Sequence, residues 1–387
     1  DTVADIEKMV VDIQLMPLFK QQVMVDELDF RRMKVNTTNW IHEARIKGDV
    51  GQMALRAHGI DLSKELVHVD DALLSNARLS VELSDTVPPD TTPKTNKWKV
   101  NIQKLKLKNT ALALHMPGDT LRVNAYMGDA TAHGTYLDLF KGLYQVRALD
   151  WRKGRVTYDN YQTEMLAGKN ISVLRPAEGL DFNHIALLDM TLKADSFYFC
   201  DSKIDVKIRQ AQFRERCGLN LQQMYCRCVI DSLKLQLPDL CLRTPSSTLQ
   251  TMVDMDMNAF ADSAPGKLTA MIRGSIGRED LMLFAGAYMP QKMRRNWPYY
   301  PMEVAGTVKG NMQRLSYSGL KLNLPSAFQL SSDGWLAHLN DMSQMKAKIH
   351  LDARTYHLGF VTAMLDPALM KGVRIPNGMI LKGDVAV

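Results

Sequence analysis

Apolar and polar residues alternate with a period of two through most of this 387-residue chain. The stretch DALLSNARLSVEL is typical, since it places Ala77, Leu79, Val81 and Leu83 on one side. Because successive side chains of a β-strand point to opposite faces, the pattern predicts strands with one face out of water and one face in it. Strands buried on both faces would read as continuous apolar runs, which this chain lacks.

The alternation changes phase within one segment. WKVNI, KLKLKN and TALALHM follow one another closely, and the apolar positions move from Val100 and Ile102 to Leu105 and Leu107, then to Leu112. A one-residue slip turns every side chain to the other face, so each change of phase predicts a bulge or a bend.

Many strand-like segments contribute to the apolar side, and many of its residues are Met, of which the chain has 24. Met is flexible and polarizable, so such a face either contacts something variable, such as acyl chains, or is a core that uses Met in place of Ile or Leu. The candidate lining residues of this side are Val100, Ile102, Leu112, Leu114, Met116, Val123, Met127, Leu192, Val206, Ile208, Leu235, Val253, Met255, Met257, Ile272, Val304, Val308 and Ile349.

Helical periodicity is rare. The best candidate is an insert at 278–298, in which Leu281, Leu283, Phe284 and Tyr288 would form an apolar stripe and Pro290 would end the first helix. The polar, Pro-containing stretch 84–97 is either a boundary between parts or a surface loop joining two strands. We otherwise expect one elongated body over 1–387.

Charge and motifs exclude several function classes. The net charge of +6 is spread thinly, which argues against a nucleic-acid partner. No apolar run reaches the roughly 18 residues of a membrane-spanning helix. GxSxG, GxxxxGK[ST] and GxGxxG are absent. The His residues are scattered, and no carboxylate pair stands in an apolar setting. The sequence therefore predicts no enzyme, no metal and no cofactor.

The cysteines allow two interpretations. Five of them lie close together, and their odd number without a CxxC pair argues against zinc. They are either small apolar residues on strands or partners in a disulfide of an oxidising compartment. These residues are Cys200, Cys217, Cys226, Cys228 and Cys241.

Several long stretches resemble TamB-like proteins, the translocation and assembly module within the AsmA-like superfamily. They are MKVNTTNWIHEARIKGDVGQMALRAHGIDL, LLSNARLSVELSDT, WKVNIQKLKLKNTALALHMPGD, LRPAEGLDFNHIALLDMTLKADSFYF with IDVKIRQAQFRERCGLNLQQM, and the passage from GREDLMLF to GWLAHL. The stretch LRPAEGLDFNHIALLDMTLKADSFYF with IDVKIRQAQFRERCGLNLQQM resembles the form of these proteins found in Bacteroidota. These stretches are packing patterns and not catalytic motifs, so they indicate a family without assigning working residues.

The resemblance implies a mostly β fold: an elongated, repeating β-groove, a curved taco-like sheet with an apolar interior, plus a few short helices. It implies a periplasmic bridge that guides phospholipids between inner and outer membrane, with acyl chains against the candidate residues. It also implies an N-terminal inner-membrane anchor and a C-terminal contact with an outer-membrane barrel protein of the Omp85 type. We expect this chain to be an internal piece that lacks both.

Three other functions stay open at this stage. A scaffold or chaperone for outer-membrane barrel strands would pair clients along exposed sheet edges. An enzyme acting on envelope glycans or lipids would need convergent titratable groups. A structural β-solenoid would have an interior too tightly filled for a hydrocarbon tail.

Overall fold

The computed structural model describes residues 3–14, 22–37, 44–61, 64–83, 97–116, 118, 120–168, 179–261, 263–340, 343–362 and 378–386. The strands are β1 Ala4–Gln14, β2 Gln22–Asn36, β3 Ala44–Asp61, β4 Leu66–Leu83, β5 Lys99–Met116, β6 Leu121–Asp138, β7 Leu143–Asn160, β8 His184–Cys200, β9 Lys203–Glu215, β10 Asn220–Ile230, β11 Lys234–Arg243, β12 Thr248–Asp256, β13 Leu268–Ile276, β14 Met302–Gly310, β15 Arg314–Leu324, β16 Phe328–Ala337, β17 Lys346–Thr355 and β18 Ile380–Ala386. The helices are α1 Gln162–Leu166, α2 Arg278–Ala285, a 3₁₀ turn at Gly286–Tyr288, α3 Gln291–Asn296 and α4 Gly359–Thr362.

Strands account for 70% of the described residues and helices for 8%. The predicted fold class is confirmed: the protein is mostly β, its sheet is curved and open as a β-groove requires, and its helices are few and short. The period-two pattern succeeded because one half-buried face is what that pattern encodes.

The chain divides into two compact units. Unit 1 comprises Asp1–Ala177 and Asp181–Arg216, and unit 2 comprises Glu178–Leu180 and Cys217–Val387. In unit 1, β1 to β9 pair in chain order, antiparallel except for the parallel pair β4–β5. In unit 2, β10 to β18 form an antiparallel meander. The loop predicted at 84–97 lies, apart from its last residue, outside the described residues.

A line of bends crosses the long strands of unit 1. Asn76, Asn109, Lys153 and Asp189, on β4, β5, β7 and β8, all have φ between 48° and 53°. The pairs that flank Asn76 and Asn109 join neighbouring strands in register, so these two bends lie side by side. Asn109 stands where the sequence predicts the second change of phase. The first change falls at Gln103, opposite Gly134, which has φ 61°. Both changes therefore occur inside one continuous strand, β5.

Unit 2 has a small core beneath its helices. Trp297, Leu324 and Phe360 are buried, and the rings of Trp297 and Phe360 meet edge to face with centroids 4.9 Å apart. The helix α2, the 3₁₀ turn and α3 fall within the predicted insert, and Pro290 separates the 3₁₀ turn from α3, whereas α4 lies outside it. The predicted apolar stripe is wrong in part: Leu281 packs on this core, whereas Phe284 and Tyr288 are exposed. The 3₁₀ turn and Pro290 break the helical period, and Met282, Met289 and Met293 pack there instead.

Candidate functional site

Candidate residues of unit 1 lie in rows that cross the sheet. Residues paired across strands share a face, so the pairing register shows which side chains are neighbours. One row consists of Val69, Ile102, Thr135, Val146, Phe197 and Val206. Another consists of Leu79, Leu112, Ala125, Val156 and Leu187. We call the side formed by such rows the apolar face.

The remaining candidates of unit 1 fall in parallel rows of the same kind. Val100 pairs with Leu137, Leu114 with Val123, and Met116 with Leu121. Leu192 pairs with Trp151 and Ala211, Ile208 pairs with Ala194, and Met127 pairs with Thr110 and Gly154. The bend at Lys153 lies between Trp151 and Gly154. A Cβ added to Gly154 would lie 2.7 Å from Trp151 Nε1, so the rows on the two sides of this bend share a face.

The apolar face of unit 1 is neither sealed nor fully open. Met127 and Met190, beside the line of bends, are buried. Leu112 is 38% exposed, and the other candidates of this unit are half-buried. A face of this kind retains apolar surface that a ligand could still remove from water.

Unit 2 has a matching apolar face. One row crosses eight strands through Leu237, Val253, Ala270, Val308, Tyr317, Gly334, Ile349 and Val385. A second contains Leu235, Met255, Leu268, Gly310, Leu315, Leu336 and Ala347. Val304 lies in a third row with Leu249, Gly274, Leu322 and Leu330, and Ile272 pairs with Thr251 and Gly306.

A hollow of about 580 Å³ lies on this face and brings three candidates together, Ile272, Val308 and Ile349. Pockets that hold small ligands generally span about 300–1,000 Å³. Its lining also includes Ala270, Gly306, Leu315, Leu320 and Leu336. Gly306 contributes no side chain to its row, which leaves room between the larger residues.

Besides Thr251 and Thr307, the hollow has a polar lining residue in Tyr317, which the sequence analysis did not single out. Its hydroxyl lies 2.9 Å from Ser332 Oγ, and the Ser332 hydroxyl donates to the carbonyl oxygen of His350 at 2.8 Å. The Tyr317 hydroxyl is therefore the donor to Ser332, whose side chain is buried. The position of Tyr317 in an otherwise apolar row was the signal that could have identified it.

Met257 is an exception among the candidates. The sequence placed it in the same strand as Val253 and Met255, but β12 ends at Asp256 and Met257 lies in the following turn, 53% exposed. Asp256 ends the strand because its carboxylate accepts a hydrogen bond from the backbone N–H of Lys267 at 2.8 Å. Met257 is thus not on a row of the apolar face.

A second hollow, of about 600 Å³, lies in unit 1. Its lining includes two rows from the opposite, polar face, Arg78–Ala111–Tyr126–Arg155 and Lys47–Ser80–Ala113–Asn124–Thr157. Leu79, Leu112 and Ala125, which belong to a row of the apolar face, also line this hollow, so it is not confined to the polar face.

One histidine is held between carboxylates in unit 1. His184 Nδ1 lies 3.1 Å from Asp159 Oδ1, and its Nε2 lies 3.5 Å from Glu164 Oε1. The ring also packs on Tyr161, whose pKa is raised by burial and by the charge of Asp159. These contacts bind α1 to the ends of β7 and β8. With carboxylates on opposite sides of the ring, the geometry suits a structural clamp better than a shared metal.

All five cysteines lie in the described part of the chain, and no disulfide joins them there. Cys226 is buried, and burial, with smaller effects of Cys228 and Asp239, raises the pKa of its thiol to about 11. Cys200, Cys226, Cys228 and Cys241 lie on strands, and Cys217 lies between β9 and β10.

Across the described ranges, no three His, Cys, Asp or Glu side chains are grouped so that they could hold a metal ion. Within those same ranges, no helix combines the length and the apolar character needed to cross a membrane. The candidate site is therefore defined by the apolar faces and by the hollow around Ile272, Val308 and Ile349.

No protein-family model matches this chain, and no curated protein sequence does either.

Proposed function

We propose that this protein guides phospholipids between the inner and outer membranes of a bacterial envelope, with acyl chains lying along its apolar faces. The observation that carries the proposal is that many consecutive strands contribute to faces that stay partly accessible. The resemblance to TamB-like proteins supports the same function.

Burial of acyl chains supplies the driving force. Each methylene that leaves water against these faces contributes about 0.8 kcal/mol. The hollow of unit 2 offers Ile272, Val308 and Leu336 to a hydrocarbon chain and Tyr317 as a polar group. Because most lining residues are apolar, they bind tails without fixing one position, and the lipid can move along the rows.

The location follows from the same proposal. Such a carrier would work in the periplasm, anchored in the inner membrane and in contact with an outer-membrane barrel protein of the Omp85 type. Phospholipid is then its substrate, and no chemical step is required.

Ile272 and its neighbour Arg273 provide a test and its control. Both are exposed, they lie on opposite faces of β13, and of the two Ile272 alone lines the hollow. A photo-crosslinking residue at 272 should capture phospholipid in cells, and lipid extraction of Ile272→Glu should recover at least about tenfold less lipid than wild type. The same changes at 273 should leave both measurements near their background or wild-type values. Equal crosslinking at 272 and 273, or undiminished lipid in Ile272→Glu, would count against the proposal.

A scaffold for outer-membrane barrel strands is the second candidate, and β18 favours it. All seven residues of β18 are exposed, and β17 pairs along one of its sides. An exposed strand edge can bind an extended client by backbone hydrogen bonds. Crosslinks from Ile380 to unfolded barrel proteins, with no lipid at Ile272, would favour this function instead.

A further inference from the structure

The helical insert, here Arg278–Tyr300, is firmly attached to unit 2. Trp297 is buried against Phe360 and Leu324. At the other end, the buried carboxylate of Asp280 accepts hydrogen bonds from the hydroxyls of Thr244, Ser246 and Ser247 at 2.5, 2.7 and 2.5 Å. Whatever the insert exposes is therefore exposed on a well-packed element.

The insert nevertheless presents four aromatic side chains to solvent. Tyr288 is 89% exposed, Tyr299 83%, Tyr300 59% and Phe284 50%. The insert has its own core, so a shortage of apolar packing does not explain these exposures. Tyr carries an apolar ring with a polar tip, which suits the boundary between water and a membrane.

The charge of the insert is predominantly positive. It contains Arg278, Lys292, Arg294 and Arg295 against Glu279 and Asp280, and Asp280 is buried. The Arg278 guanidinium lies 4.8 Å above the ring of Tyr299 and donates to the carbonyl oxygen of Arg294, so this cation of α2 contacts α3 and the segment after it. Lys292 and Arg295 are exposed, and no carboxylate pairs with either within the described part of the chain.

We propose that the helical insert is a contact site for a membrane surface rich in anionic phospholipid. Lys292 and Arg295 meet the phosphate groups while Tyr299 and Tyr300 enter the headgroup region. The contact is peripheral, because α2 and α3 are too short to span a bilayer. It involves none of the residues that carry the proposed lipid pathway, so either proposal can fail without the other.

Co-sedimentation of the 387-residue chain with vesicles tests this contact. One set of vesicles is phosphatidylcholine alone, and the other contains about 30% phosphatidylglycerol. Wild-type protein should sediment with the anionic vesicles and stay in solution with the neutral ones, and added salt should release it. The double variant Lys292→Glu/Arg295→Glu should bind the anionic vesicles at least about tenfold more weakly than wild type, because each cation near an anionic surface contributes substantially to binding. Tyr299→Ser/Tyr300→Ser should also weaken binding while keeping the charge.

Lys309→Glu/Lys348→Glu is the matched control, since both lysines are exposed on strands of unit 2 and the change in charge is the same. It should bind like wild type. Equal loss in this control would mean that overall charge drives sedimentation, and would overturn the proposal. So would full binding by the Lys292/Arg295 variant. A wild-type chain that binds neither vesicle would do the same and would point to an acidic protein partner. Circular dichroism confirms that each variant keeps its strands.

Discussion

Asp280 shows how a single carboxylate can join a helix to a sheet. It lies in the first turn of α2, and the three hydroxyls that donate to it come from the turn between β11 and β12. The Ser247 hydroxyl also accepts from the backbone N–H of Gly277 at 2.9 Å. The sequence could not reveal this cluster, because its members are more than thirty positions apart and carboxylates and hydroxyls are common on surfaces.

Cys226 carries a prediction about reactivity at this scale. Its thiol has a pKa of about 11, against an ordinary 9.0, because burial disfavours the thiolate. At a pH near 8 the thiolate fraction should be about 100-fold below that of an unperturbed thiol, and it should rise with pH until about 11. Iodoacetamide labelling followed by peptide mass spectrometry should therefore modify Cys226 last in the folded protein, and at an ordinary rate in urea. Labelling of Cys226 as fast as half-buried Cys241 would contradict the prediction.

The strands show why alternation is informative and where it stops. Period two assigned the side of almost every candidate, because the face of a strand follows directly from sequence position. The changes of phase around Gln103 and Asn109 were predictable for the same reason. The parallel pairing of β4 with β5 was not, since the same alternation suits both directions. The end of β12 at Asp256 was missed because it depends on a local hydrogen bond to Lys267.

The bend at Lys153 provides a stability test. Its φ of 53° is in the left-handed region, where a residue with a Cβ costs about 1–2 kcal/mol. Lys153→Gly should thus keep the free energy of unfolding or raise it by up to about 1 kcal/mol, because the gain is partly offset by chain entropy. Lys153→Val should lower it by about 1–2 kcal/mol, since a β-branched side chain tolerates this conformation poorly. Urea unfolding of the two variants measures the difference, and a Val variant more stable than the Gly variant would refute the bend as described.

At the scale of the whole molecule, the two apolar faces were predictable and the hollow was not. Alternation identifies the residues of a face but says nothing about which rows leave space. In unit 2 the space arises beside Gly306, which pairs with Ile272 among larger side chains, and only the register reveals this. Tyr317 was missed for the same reason, since its position beside Val308 follows from the register alone.

Gly306 can therefore be used to close the hollow. A Cβ there would meet Leu320 at 3.4 Å, an ordinary contact, so Gly306→Val should fold and fill part of the space. We expect lipid recovered from purified Gly306→Val to fall several-fold, with a melting temperature close to that of wild type. Ala305→Val, on the opposite face of β14, is the control and should retain lipid. Unchanged lipid in both variants would mean that this hollow does not hold tails.

The repeated bend of unit 1 has an evolutionary consequence. Asn76, Asn109, Lys153 and Asp189 each supply the turn for their own strand, so the bend is encoded separately in each of these four strands. A duplicated or deleted hairpin would then bring or remove its own share of the curvature, with contacts to its immediate neighbours alone. Such a chain can change its span by whole hairpins while its profile is inherited intact, as in repeat proteins whose number of modules drifts between species.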